Sequence, residues 1–176
     1  MKKFILVTAL FASVSAHAES VPLTYWGQFQ ASAISGYSAK TNGAFTELTE
    51  AKVAYSNDGN KEMYIQVHGF SNGKYVDSCN LADFDSYDNS GSALGLATGV
   101  GYVNHTPVRV FVYCSYDSAD NANILTISPS SNKGKKFLVD EFKRGDFVDF
   151  GYDKHIAKFT TKGFKAIYDS MVSEAL

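Results

Sequence analysis

The 176-residue chain is short of the residues that usually mark metal and cofactor sites. It has two cysteines, and its four histidines lie at positions 17, 68, 105 and 155. No C-x-x-C, H-x-H or H-E-x-x-H spacing occurs, so the common zinc patterns are excluded. "GSALG" at 91–95 is not the G-x-S-x-G of a nucleophile elbow. "GLATGVGY" at 95–102 lacks the third glycine and the following helix pattern of a phosphate-binding turn. No cofactor and no metal are expected from these absences. Base is not in excess either. Sixteen Lys and Arg face 18 Asp and Glu, a formal charge of −2, where nucleic acid asks for a concentrated basic face. There are only three prolines, and no Pro-rich linker, internal repeat or low-complexity block, so one domain is the simplest organisation.

Past the N-terminus no apolar run approaches the ~20 residues of a membrane-spanning helix. The N-terminus itself reads "MKKFILVTALFASVSAHAES". Lys2 and Lys3 precede an apolar stretch from Phe4 to Val14, and Ala16-His17-Ala18 offers small residues where a signal peptidase reads. The expectation is a cleaved signal peptide at 1–18 and a single β-rich domain at 19–176, periplasmic or secreted, with no membrane span after cleavage. Loss of Lys2 and Lys3 moves the formal charge from −2 to −4.

What the chain does have is alternation. "LTYWGQFQASAI", "EAKVAYS", "KEMYIQVHGF", "KYVDSC", "VRVFVYCSY" and "NILTIS" place apolar residues at every second position, as half-buried strands do. "NDGN" at 57–60 separates two of them with an Asp-Gly turn. "DFVDFGY" and "HIAKFTT" read as a second hairpin around Asp153-Lys154. "KKFLVDEFKRG" fits a short helix stopped by Gly145, although Phe137 to Val139 also suit a strand. The chain then changes period: Phe164, Ile167, Tyr168, Met171 and Val172 mark one face of a C-terminal helix, with Thr161 as its expected cap. Glycines 95, 99 and 101 are read as bending a loop or bulged strand. The fold class expected is mainly β, an antiparallel sandwich or curved sheet with the C-terminal helix packed on it.

Two cysteines in an exported chain are an even count in an oxidising compartment. Cys114 shares the inward phase of Val108, Val110 and Val112, and Cys79 closes "KYVDSC". A Cys79–Cys114 disulfide is therefore expected, and it would bring two Asp- and Tyr-rich segments together. These are "CNLADFDSYDNSGS" and "YCSYDSADNAN". The first carries Asp83, Phe84, Asp85, Tyr87 and Asp88, the second Tyr116 and Asp117. The first resembles a calcium loop only superficially: with Asp83 in first place, the glycine position holds Asp88 and the glutamate position holds Leu94. Interleaved acids and aromatics instead suit a partner-binding surface. Charge is also uneven. Six aspartates and one base lie between Asp77 and Asp120, and nine bases and five acids between Lys133 and Lys165. His68, in phase with Tyr64 and Gln66, reads as a surface or edge residue. "NHT" at 104–106 matches a glycosylation acceptor.

The functional expectation is a non-catalytic exported interaction module. It would bind, and inhibit or neutralise, a protein partner of basic character through the acidic-aromatic loops beside the disulfide. One alternative is an envelope glycan as partner, stacked on Trp26 or the tyrosines; another is a small secreted hydrolase working with convergent carboxylates. Nothing in the residues strongly separates the protein partner from the glycan, and the balance leans away from an enzyme.

Overall fold

The computed structural model describes residues 21–22, 27–30, 33–55, 59–86 and 94–171. The expected signal segment, Trp26, Tyr87 and Asp88 lie outside them. Among the described residues, twelve strands form one sheet, antiparallel in every pair. They are β1 (Val21–Pro22), β2 (Gly27–Gln30), β3 (Ala33–Asn42), β4 (Phe45–Tyr55), β5 (Lys61–Ser71), β6 (Lys74–Val76), β7 (Asp85–Ser86), β8 (Leu94–Val103), β9 (Thr106–Asp117), β10 (Ala122–Pro129), β11 (Phe147–Tyr152) and β12 (His155–Thr160). Helix α1 (Asn132–Arg144) lies between β10 and β11, and α2 (Phe164–Ser170) follows β12. A single 3-10 turn, Leu81–Asp83, precedes β7.

The order β1-β3-β4-β5-β10-β9-β8-β11-β12 curls until β12 meets β3 and β1. At that seam the Lys158 amide donates to Ser38 Oγ at 3.1 Å. The sheet is thus a nearly closed barrel, the curved-sheet form of the expected class.

The alternation dictates what faces inward. Val53 lies opposite Met63, and Ala51 opposite Ile65; Val67 pairs with Leu125, Ile65 with Ile127, and Ile127 with Val112. All are buried. Each such Val, Leu, Ile or Met side chain removed from water contributes about 1.5–3 kcal/mol.

The segment that suits both helix and strand is helix. Ser131, extended at φ −130°, accepts from the Gly134 amide at 3.1 Å and caps it. Gly134, Leu138 and Phe142, four apart, make its buried stripe. Lys143 and Arg144 end it, where cations suit the helix dipole. Phe142 stacks obliquely on Phe159 at 5.7 Å and on Phe164 of α2 at 5.3 Å, which seals one end of the barrel. The expected Thr161 cap is not used. Gly163, at φ 87°, is the N-cap without a side-chain bond, while the Thr161 hydroxyl donates to the Gly145 carbonyl.

Glycines 99 and 101 lie in a regular strand, β8, and Gly99 serves a close approach. A Cβ there would lie 2.7 Å from Tyr152 Cε2. The Asp153-Lys154 hairpin is as expected, with Asp153 at φ 50°. Asn104 accepts from the Asp149 amide and donates to Glu141, so its amide is already committed to β11 and α1.

Candidate functional site: the open end of the barrel

Strand direction sorts the turns into two ends. β3, β5, β9 and β11 finish, and β4, β8, β10 and β12 begin, at the end away from the helices. That open end carries Asp77, Asp83, Asp85, Asp117, Asp120 and Asp153, with Lys74 and Lys154 as cations in the turns. The helical end carries Lys133, Lys135, Lys136, Lys143, Arg144, Lys162 and Lys165, partly offset by Asp140, Glu141, Asp146 and Asp169. The charge split along the sequence is therefore a split between ends, with Lys154 as the main exception.

Cys79 and Cys114 are disulfide-bonded, their α-carbons 6.0 Å apart. Cys114 points inward from β9 and is fully buried. The bridge holds the 77–84 segment across the open end, and hydrogen bonds fix its edge. The Ser78 amide and hydroxyl both donate to the Asn123 carbonyl at 2.9 Å. Ser78 Oγ accepts from Leu125, and Asp77 accepts from the Asn123 amide at 2.7 Å. Asn123 is the cross-strand partner of Tyr116, so the two segments named from sequence share this end.

Within that shared end the individual residues behave differently. Asp83 is exposed and closes the 3-10 turn, its amide donating to the Asn80 carbonyl. Phe84 packs against the core beside Cys79. Asp85 lies in β7 opposite Leu96. Tyr116 is 54% exposed and donates to Asn121 at 2.6 Å. Asp117 accepts from the Ala119 amide at 2.8 Å and braces its own hairpin.

Beneath this rim lies a cavity of about 320 Å³ whose lining includes Lys40, Phe45, Glu47, Asp77, Lys154 and His155. A wider one of about 570 Å³ adjoins it through Asp77, Ser78, Lys154 and His155, and reaches Asp83, Phe84 and Tyr152. Glu47 on β4 and His155 on β12, 108 positions apart, meet here across the seam, Nδ1 to Oε2 at 2.8 Å. Both residues are more than nine-tenths buried, at 9% and 6% exposure. A carboxylate only accepts, so in a pair with ionised Glu47 it is Nδ1 that donates. Glu47 Oε1 is buried without a hydrogen-bond partner.

This pair escaped sequence reasoning because it has no motif. A signal was present nonetheless. His155 is in phase with buried Ala157 and Phe159, and Glu47 with buried Ala51 and Val53. Polar residues on the inward phase of a strand must find partners or face a cavity.

A second polar cluster covers the outer face of β3, β4 and β5. Ser35 and Tyr37 donate to Glu50 Oε1 at 2.5 and 3.0 Å. His68 lies 3.6 Å from Glu50 and 3.8 Å from Asp120. It is largely covered rather than a surface residue, because the β9–β10 turn brings Asp120 over it. Burial alone would raise the Glu50 carboxyl. His68, the Ser35 hydroxyl, Lys52 and the Tyr37 hydroxyl outweigh burial and hold it below the ordinary carboxylate value. Burial and the Glu50 charge push the Tyr37 phenol up to about 12.

No family model, curated protein or solved structure matches this chain.

Proposed function

We propose that the protein is an exported, non-catalytic binding module that engages a basic protein partner with the rim of its open end. The observation that supports this most is the gathering of Asp77, Asp83, Asp117, Asp120 and Asp153 at one end, across which a disulfide holds the 77–84 segment. Acids on a pre-organised rim accelerate encounter with a positive surface, and a pinned loop loses less entropy when it binds. Exposed Tyr116 supplies amphipathic contact area beside the acids.

The test is capture from envelope and culture fractions with immobilised oxidised protein at low and at high salt. A basic protein retained at low salt and weakened at high salt is expected, because exposed charges are screened over roughly 10 Å at 0.1 M. The double variant Asp83→Asn, Asp117→Asn should lose that protein. Retention by the variant at wild-type level removes the rim assignment.

A further inference from the structure

We infer that the cavity beneath the rim is a binding site for a neutral polyhydroxylated ligand, a mono- or disaccharide, with Glu47 as the buried acceptor in its wall. This goes beyond the partner reading and does not rest on it: Glu47, His155, Lys40 and Phe45 are no part of the rim, and Asp77 is shared by the rim and this cavity.

Glu47 has an unmet hydrogen bond. Glu47 Oε2 is taken by His155, but Oε1 is buried and unpartnered. A buried acceptor left this way costs about 1–3 kcal/mol, more when charged. Lys40 is its direct cross-strand partner in the β3–β4 register, yet among the described residues it makes no ion pair with Glu47. A donor from a bound molecule would complete the site.

The rest of the lining selects the kind of donor. The lysines Lys40 and Lys154 offset the carboxylates Glu47 and Asp77, and His68 and His155 add imidazoles to the lining, so no single sign of charge dominates it. An apolar ligand would strip water from all four charges without replacing it. A hydroxyl both donates and accepts, so a ring bearing several can meet Glu47 and the lysines together, with His155 also in the lining. One wall is apolar. Phe45 lines the cavity with its ring near Gly69, where an added Cβ would lie 3.3 Å from Phe45 Cε2. Its ring supplies apolar surface for the C–H side of a sugar ring. The volume, about 320 Å³ with the wider space adjoining, falls in the range of small-molecule sites.

The experiment is calorimetric titration of the oxidised protein with glucose, galactose, N-acetylglucosamine, maltose and lactose, and with glycine and glutamate as zwitterionic controls. A glycan array presenting the same sugars as chain ends runs in parallel. Saturable binding of at least one sugar is expected, with the amino acids silent. Binding of free sugar assigns the site to soluble saccharide, and binding on the array alone assigns it to the end of a glycan chain. Glu47→Gln keeps the shape but turns an acceptor edge into a donor, and should weaken binding tenfold or more. Phe45→Ala, at a position 39% exposed that the fold tolerates, should weaken it at least threefold and covers the case in which Glu47→Gln fails to fold. The rim variant Asp117→Asn, whose residue lines neither cavity, should bind sugar as wild type does, so failure of the partner reading and failure of this one are separable. Silence towards every sugar in both formats, preference for the amino acids, or wild-type affinity in the folded variants overturns the inference.

Discussion

Opening the Cys79–Cys114 bridge removes a covalent link between positions 35 apart. In the chain-entropy model, closing a loop of that length lowers unfolded-state entropy enough to stabilise the native state by about 4 kcal/mol at 25 °C. Two features bear on how much of this is lost. Cys114 is fully buried, so Cys114→Ser would add the cost of a buried hydroxyl and confuse the measurement. Reduction of the native protein is cleaner, because both sulfurs stay in place. The Asp77 and Ser78 bonds to Asn123 also survive reduction, so the 77–84 segment keeps part of its anchorage. The expected outcome is a loss of about 2–4 kcal/mol in urea unfolding, read from the midpoint at constant slope. The thermal midpoint should fall by roughly 4–16 °C for a chain of this size. Amide exchange should rise first in 77–84, while Met63, Ile65 and Val67 remain protected, since their pairing with β4 does not depend on the bridge. A reduced protein within 1 kcal/mol of the oxidised one would refute the argument that the bridge supplies this constraint. Fast exchange spread evenly over β4 and β5 would refute the local anchoring.

The remaining predictions concern the helical end and the outer polar cluster. Phe142→Ala empties a fully buried site between Phe159 and Phe164 and should cost about 3–5 kcal/mol in urea unfolding, whereas Val100→Ala, 51% exposed, should change stability by less than about 0.5. Tyr37, raised to about 12 in the folded protein, should contribute stability that is fully present below the ordinary tyrosine value near 10 and is lost as pH climbs from there towards 12. The sign follows because the unfolded chain releases that proton first. Phenolate absorbance should show a late-titrating phase, to which Tyr64, Tyr152 and Tyr168 are also shifted by burial, and Tyr37→Phe should remove one phenol from its upper end.

The strands were legible because a period of two is a local property. Val108, Val110, Val112 and Cys114 announce their shared face without reference to any other strand, and all four are buried. The Cys79–Cys114 pairing was legible because few partners were available. Helix α1 was ambiguous because Phe137 to Val139 satisfy two periods; the Ser131 cap and burial of Leu138 and Phe142 against the barrel decide it. Thr161 was misread for a related reason. Its hydroxyl can cap a helix or bridge to another segment, and the Gly145 carbonyl beside it prevails.

The candidate site divides in the same way. Asp83, Tyr116 and Asp117 stand out as a composition, and the bridge brings their segments to one end, but no pattern could say that Phe84 turns towards the core. Glu47 and His155 are invisible as a pair in any window, since contact between positions 108 apart is made by curvature of the sheet.

By itself, then, the sequence determined which residues alternate inward, where the chain turns and which two sulfurs join, since each follows from neighbours along the backbone or from the chemistry of one residue type. Only the tertiary structure decided that the sheet curls until β12 meets β3, that acids gather at one end and helices seal the other, and that a buried carboxylate and an imidazole face each other beside a cavity. Closure depends on the accumulated twist and register of every strand in between, and that sum is carried by no single stretch of the chain.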